Sequence, residues 1–143
     1  YYRFYLTRAA NKVGKADYFI NHMDTWRDML AEGLTTFAEH EQNTRSDCHA
    51  WSASPNYEFL ATVAGIMPSA PHFASVRISP ALGYLQEVSG SIPHPMGMIR
   101  VELERKGTNG ITGMVSLPEG LDGTFEWQGK AVKLRGGKQK VSL

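Results

Sequence analysis

The sequence has little of what marks several protein classes. A single cysteine, Cys48, in 143 residues excludes an internal disulfide and a multi-cysteine metal framework. No apolar run approaches the roughly 20 residues that span a bilayer, and the first residues lack the charged, apolar and small-residue regions of a signal peptide. The formal net charge is only +1, which excludes a polybasic nucleic-acid arm. There is no internal repeat, no low-complexity tract and no glycine-rich phosphate loop. What remains is globular material: 42% hydrophobic, 10% aromatic and 20% charged, in a chain long enough to bury roughly 68–70% of its unfolded surface. A soluble chain with neither a membrane nor a nucleic-acid partner is expected, and its compartment stays open. The chain opens inside an aromatic run, Tyr1-Tyr2-Arg3-Phe4-Tyr5-Leu6, without an initiating methionine. We therefore expect a piece of a longer polypeptide and an incomplete site.

Charge and residue type shift at Pro68-Ser69-Ala70-Pro71. Before His72 there are six Lys+Arg against eight Asp+Glu, and after it nine against six. Two prolines so close together end any helix and bias their predecessors to extended backbone, so a short stiff connector is expected between residues 1–67 and 68–143.

The first part reads as helical. Residues 2–13 are aromatic or aliphatic around most of the helix, with Gly14 at the stop, so this helix expects neighbours on several sides. Asp17 is a candidate N-cap for a second helix carrying Phe19, Met23, Trp26 and Leu30 at three-and-four spacing, with Gly33 its stop. Residues 34–46 are irregular. A third helix is expected over 54–64, with Pro55 in its first turn, Phe59, Leu60 and Val63 inward, and Gly65 closing it. Three helices are a poor shell for this much aromatic surface, so further helices are expected to cover them.

After residue 68 the period falls to two. Strands are expected at 76–78, 85–88, 98–103, 111–117, 124–127, 131–134 and 139–143, with no helix after Ala64. Asn109-Gly110, Gln128-Gly129 and Gly136-Gly137 supply turns, and an antiparallel β-sandwich follows. Lys130, Lys133, Arg135, Lys138 and Lys140 form a basic terminal hairpin. It reads either as a surface for an anionic polymer or as an edge protected by lysine against strand pairing.

The densest polar segment is Gly33-Leu34-Thr35-Thr36-Phe37-Ala38-Glu39-His40-Glu41, followed by Arg45-Ser46-Asp47-Cys48-His49-Ala50-Trp51-Ser52-Ala53-Ser54-Pro55. Loops held by rigid helices carry most sites, and the plain alternative is a solvated connector. Cys48 beside His49 suggests a cysteine nucleophile or a metal ligand. Adjacent side chains do not converge without a special turn, however, and no CxxC, HxH or HExxH spacing is present.

These two strings resemble the late catalytic-domain signature of the bacterial α-L-rhamnosidases of glycoside hydrolase family 78. The segments from Gly65-Ile66-Met67-Pro68 to Val76-Arg77-Ile78-Ser79-Pro80, and Gly90-Ser91-Ile92-Pro93-His94-Pro95-Met96-Gly97, resemble that family's passage into its C-terminal β-domain. The resemblance implies an α+β chain of two parts: the last helices of an (α/α)6 barrel, then an antiparallel β-sandwich. It further implies hydrolysis of terminal α-linked rhamnose with inversion, a carbohydrate substrate, and no cofactor or metal. By residue, Glu39 matches the general base and His49 the sugar-binding histidine, while the general acid lies in a missing N-terminal part of the same enzyme.

Arg45 and Asp47 are candidates for orienting Glu39 or His49. Trp51 is a candidate to face the sugar, or else a core residue at a helix start. The sequence departs from many relatives, which place a tryptophan beside the glutamate, where this chain has Ala38 and His40, with Glu41 a nearby second carboxylate. The alternatives to a rhamnosidase are another inverting (α/α)6 glycosidase and a non-catalytic carbohydrate-binding or packing β-module.

Overall fold

The computed structural model describes residues 1–40 and 42–143; Glu41 lies outside the described residues. The expected order of helices, then strands, is present. Helix α1 spans Tyr2–Lys12, α2 Tyr18–Asn21, α3 Asp24–Ala31 and α4 Ser54–Glu58. A 3₁₀ turn over Ala50–Ala53 leads into α4, and a π-helical turn over Phe59–Val63 leaves it. Among the described residues no helix is long and apolar enough to cross a membrane.

The helix expected from Asp17 to Gly33 is broken in two. In an unbroken helix the Tyr18 carbonyl would accept from the His22 main-chain N–H. Here the His22 ring Nδ1 donates to that carbonyl at 2.8 Å, and the His22 N–H bonds Phe19 instead. Helix α3 then restarts from the Met23 carbonyl, which accepts from Trp26 and Arg27. Asp17 does not cap; its carboxylate accepts from the Gly83 N–H at 2.8 Å, tying the helices to a loop of the β-part. Leu30, expected inward, is exposed.

The third helix keeps Pro55 in its first turn, but the π turn changes which face is buried. A π turn adds a residue per turn and rotates the following side chains. Phe59 is consequently exposed and Leu60 half-buried, whereas Glu58, Ala61, Thr62 and Val63 are buried. Gly65 then adopts φ +74°, and a Cβ there would sit 2.2 Å from the Ser79 backbone, so only glycine fits this passage into the first strand.

The strands are β1 Ile66–Pro68, β2 Ser75–Ile78, β3 Glu87–His94, β4 Gly97–Lys106, β5 Gly110–Leu117, β6 Asp122–Trp127, β7 Lys130–Leu134 and β8 Gly137–Ser142. They form two four-stranded sheets, β1-β2-β6-β7 and β3-β4-β5-β8. Alternation places Ile99, Val101 and Leu103 of β4 inward against Val76, Ile78 and Phe125 of the other sheet, all nearly inaccessible.

Several details correct the sequence reading. β1 was not expected, and β3 starts at Glu87 rather than at residue 85. One pair, β2 with β6, is parallel. A single 3₁₀ turn, Pro71–Phe73, follows Ala64. In the β4–β5 turn the positive φ falls on Gly107, not on Asn109-Gly110, whereas Gln128-Gly129 turns as expected. Gly136-Gly137 does not close a hairpin, because β7 pairs with β6 and β8 with β5.

A second cluster, Phe19, Ile20, Met23 and Val63 with Trp26, Leu85 and Val88 against it, seats the helices on the β-part. Helix α1 takes little share in this: Thr7 is its one buried residue, while Tyr2, Tyr5 and Leu6 are at least half exposed. That exposure fits the expectation of absent neighbours.

Candidate active site

The site loop is held by its own backbone. The Glu39 N–H bonds the Ser46 carbonyl at 2.9 Å, the His49 N–H bonds the Phe37 carbonyl at 2.6 Å, and the Thr36 hydroxyl bonds the Asp47 carbonyl. These three cross-links bring Glu39 and Arg45 face to face. Arg45 donates from Nε to Glu39 Oε2 at 2.9 Å and from Nη2 to Oε1 at 2.8 Å. The planar guanidinium matches the carboxylate in a fork, the strongest common pairing of these groups.

The Glu39 side chain is only 3% exposed, whereas that of Arg45 is 83% exposed. The Arg45 hydrogen bonds hold the Glu39 carboxyl below its ordinary range; burial opposes this, and the charges of Arg45, His40 and His49 add to the lowering. Glu39 is therefore ionised at neutral pH, the state a base requires.

Glu39 opens on a cleft of about 830 Å³ bounded by Tyr2, Arg3, Trp26, His40 and Trp51. This is within the size range of sites for small organic molecules. Trp51 is half exposed, so it is not a core residue. His49 is half-buried and packs its ring 4.4 Å from the Trp51 ring, and it reaches the cleft through that ring instead of lining it. Of the two orienting candidates, Arg45 touches Glu39. Asp47 contributes its carbonyl, and among the described residues its carboxylate makes no contact with Glu39 or His49. Cys48 is exposed, and its carbonyl accepts from the Ser46 hydroxyl at 3.2 Å. Among the described residues no three His, Cys, Asp or Glu side chains converge as a metal site.

Trp26, read from its spacing as a core residue, is half-buried on the cleft wall. Its Nε1 donates to the Ser52 carbonyl at 2.9 Å, and the Arg3 guanidinium lies 5.6 Å from its ring. Sequence reasoning missed Arg3, since nothing local in α1 marks it. It also missed Glu58, which is fully buried, accepts from the Thr62 hydroxyl at 2.5 Å and faces Arg8 at 3.3 Å.

No protein-family model and no curated protein matches the chain. Solved structures do. An α-L-rhamnosidase from Aspergillus terreus superposes with a TM-score of 0.87 at 18% identity over 99% of this chain and 19% of its own. An α-L-rhamnosidase from Dictyoglumus thermophilum gives 0.82 at 16% over 98% and 20%. The GH78 family rhamnosidase of Bacillus sp. GL1 gives 0.64 at 28% over 73% and 12%. The fold is thus one found within glycoside hydrolases. Together the matches show that the chain is similar in fold to α-L-rhamnosidases, one of them of glycoside hydrolase family 78, and it spans 12% to 20% of the length of those three chains.

Proposed function

We propose that this chain is the part of an inverting α-L-rhamnosidase that carries the general base, with residues 1–67 closing an (α/α)6 catalytic barrel and residues 68–143 forming the domain that follows it. The observation that carries the reading is a buried carboxylate, Glu39, held ionised by Arg45 at the wall of an aromatic-lined cleft. Inversion needs two carboxyl groups roughly 6.5–9.5 Å apart on opposite sides of the sugar, one protonating the leaving oxygen and one taking a proton from water.

Each Glu39 oxygen accepts from Arg45 through one lone pair and keeps another for the attacking water. As the water oxygen bonds the anomeric carbon, its proton passes to Glu39. The general acid belongs to the upstream part of the enzyme. Trp51 offers its ring to sugar C–H groups in the cleft, and His49, fixed by its main-chain bond to Phe37 and packed behind Trp51, offers one donor and one acceptor to sugar hydroxyls that extend past that ring. The reaction is proton transfer and displacement, which calls on no cofactor.

Proton NMR of the first product from an aryl α-L-rhamnoside tests this reading in the complete enzyme. Initial release of the β-anomer is expected. Release of the α-anomer first would contradict inversion, and turnover of glucosides with none of rhamnosides would move the substrate to another sugar.

A further inference from the structure

The basic residues near the end of the chain do not form a hairpin. β7 is the free edge of one sheet and β8 the free edge of the other, and the two are joined only by Arg135-Gly136. Both open edges therefore lie on one flank of the sandwich. Val132 and Leu134 face the core, so Lys133 and Arg135 point outward from one sheet. Val141 is buried, so Lys138 and Lys140 point outward from the other. All four, and Lys130, are exposed.

The flank carries little compensating charge. Between Trp127 and Leu143 there is no Asp or Glu. Across the ladders Lys133 stands opposite Thr124, Lys138 opposite Ser116 and Lys140 opposite Met114, all neutral, while the β6–β7 register carried one residue past Gly123 and Leu134 sets Arg135 opposite Asp122. Of the acids on adjoining elements, Glu126 faces Arg77 at 3.6 Å and Glu119 lies at the Gly137 turn. Among the described residues none of the five cations takes part in an ion pair. Lysine on an exposed edge discourages strand pairing. Outward cations along both rims, about 6.7 Å apart for residues two positions apart on a strand, form a track.

We propose that this flank binds a linear acidic polysaccharide, a chain of uronate sugars, with the carboxylates on the two cationic rims and hydroxyls on the free edge N–H and C=O groups. The choice of a polysaccharide rests on the carbohydrate reading above. It also rests on composition, since β7 and β8 contain no aromatic ring, whereas single-stranded nucleic acids are held by base stacking on aromatic side chains.

Affinity electrophoresis of the full-length protein through polygalacturonate, through its fully methyl-esterified form and against a single-stranded oligonucleotide tests the proposal. The acidic polymer should retard the protein at low salt, and less at physiological salt. Combining Lys133→Gln, Arg135→Gln, Lys138→Gln and Lys140→Gln should weaken binding at least roughly tenfold by loss of counterion release, while the melting temperature and aryl-rhamnoside hydrolysis stay unchanged. Lys12→Gln with Lys15→Gln should change nothing.

Equal binding of the esterified polymer, tighter binding of the oligonucleotide, undiminished binding by the four-site variant or no retardation at all would each overturn it. A protein inactive on rhamnosides that still binds polygalacturonate through these residues would sustain this site and overturn the catalytic reading alone.

Discussion

Arg45 grips both carboxylate oxygens of Glu39, at 2.9 and 2.8 Å, with its own side chain in solvent and that of its partner enclosed. An exposed cation thus sets the protonation state of a buried carboxylate. Arg45→Gln removes the hydrogen bonds that lower the Glu39 carboxyl, so its titration moves up toward the ordinary value of about 4.3. In the complete enzyme the acidic limb of the kcat/KM profile should shift to higher pH. An unmoved limb with a simple drop in rate would make Arg45 a structural residue only.

The same pair predicts an acid dependence of stability. The Glu39 carboxyl is lowered in the folded chain, so its contribution is present above the unfolded value, about 4.3, and is lost as pH falls through the lower folded value. Denaturant unfolding of wild type and Arg45→Gln between pH 7 and the acid range should show curves that approach each other as pH falls. Curves that stay parallel would contradict this origin.

Glu58 is enclosed on α4, with Thr62 and Arg8 as partners. Glu58→Ala removes the acceptor of the Thr62 hydroxyl, which keeps only its bond from Asn11 Nδ2, and leaves Arg8 without its carboxylate. We expect a loss of about 3 kcal/mol, at the low end for breaking a buried pair because Arg8 keeps access to water. Urea unfolding measures it, and a loss below about 0.5 kcal/mol would show that water replaces the carboxylate freely.

Gly65→Ala should destabilise by more than about 1 kcal/mol, since the residue has positive φ and its new methyl would strike the Ser79 backbone. Thermal unfolding checks this. Gly129→Ala, also at positive φ but with nothing within 4 Å, should cost less.

The exposed rings of α1 predict uneven protection. In hydrogen exchange the amides of β4 and β5, central in their sheet, should outlast those of α1, whose one buried residue is Thr7. The chain expressed alone should self-associate with concentration, and Tyr2→Ser with Leu6→Ser should reduce it in sedimentation. A clean monomer with protected α1 amides would contradict both expectations.

The strands were legible because alternation is local: Ile99, Val101 and Leu103 point inward wherever β4 is placed. Their partners were not, since the assignment of β7 and β8 to different sheets depends on contacts far along the chain. In the helices, spacing found the apolar residues around Phe59 but not the π turn, so it placed Phe59 inside and passed over Glu58, a charge with no apolar signature. In the candidate site, the motif singled out Glu39, Arg45 and His49, and the loop pairs the first two with each other and the third with Trp51. The fork between Glu39 and Arg45 arises from backbone cross-links between residues 36–39 and 46–49 that no spacing rule encodes. Trp26 shows a related gap, because its spacing marks it for the Phe19 cluster, against which it packs, and does not reveal that it also borders the cleft.

The most direct measurement is rhamnose release from an aryl α-L-rhamnoside by the complete enzyme and its Glu39→Gln variant. Glutamine keeps the shape and the main-chain bond to Ser46 but cannot take a proton. The account predicts a fall in kcat of at least about 10²-fold, with an unchanged circular dichroism spectrum. Near-normal turnover by the variant would remove Glu39 from the chemistry and contradict the central claim.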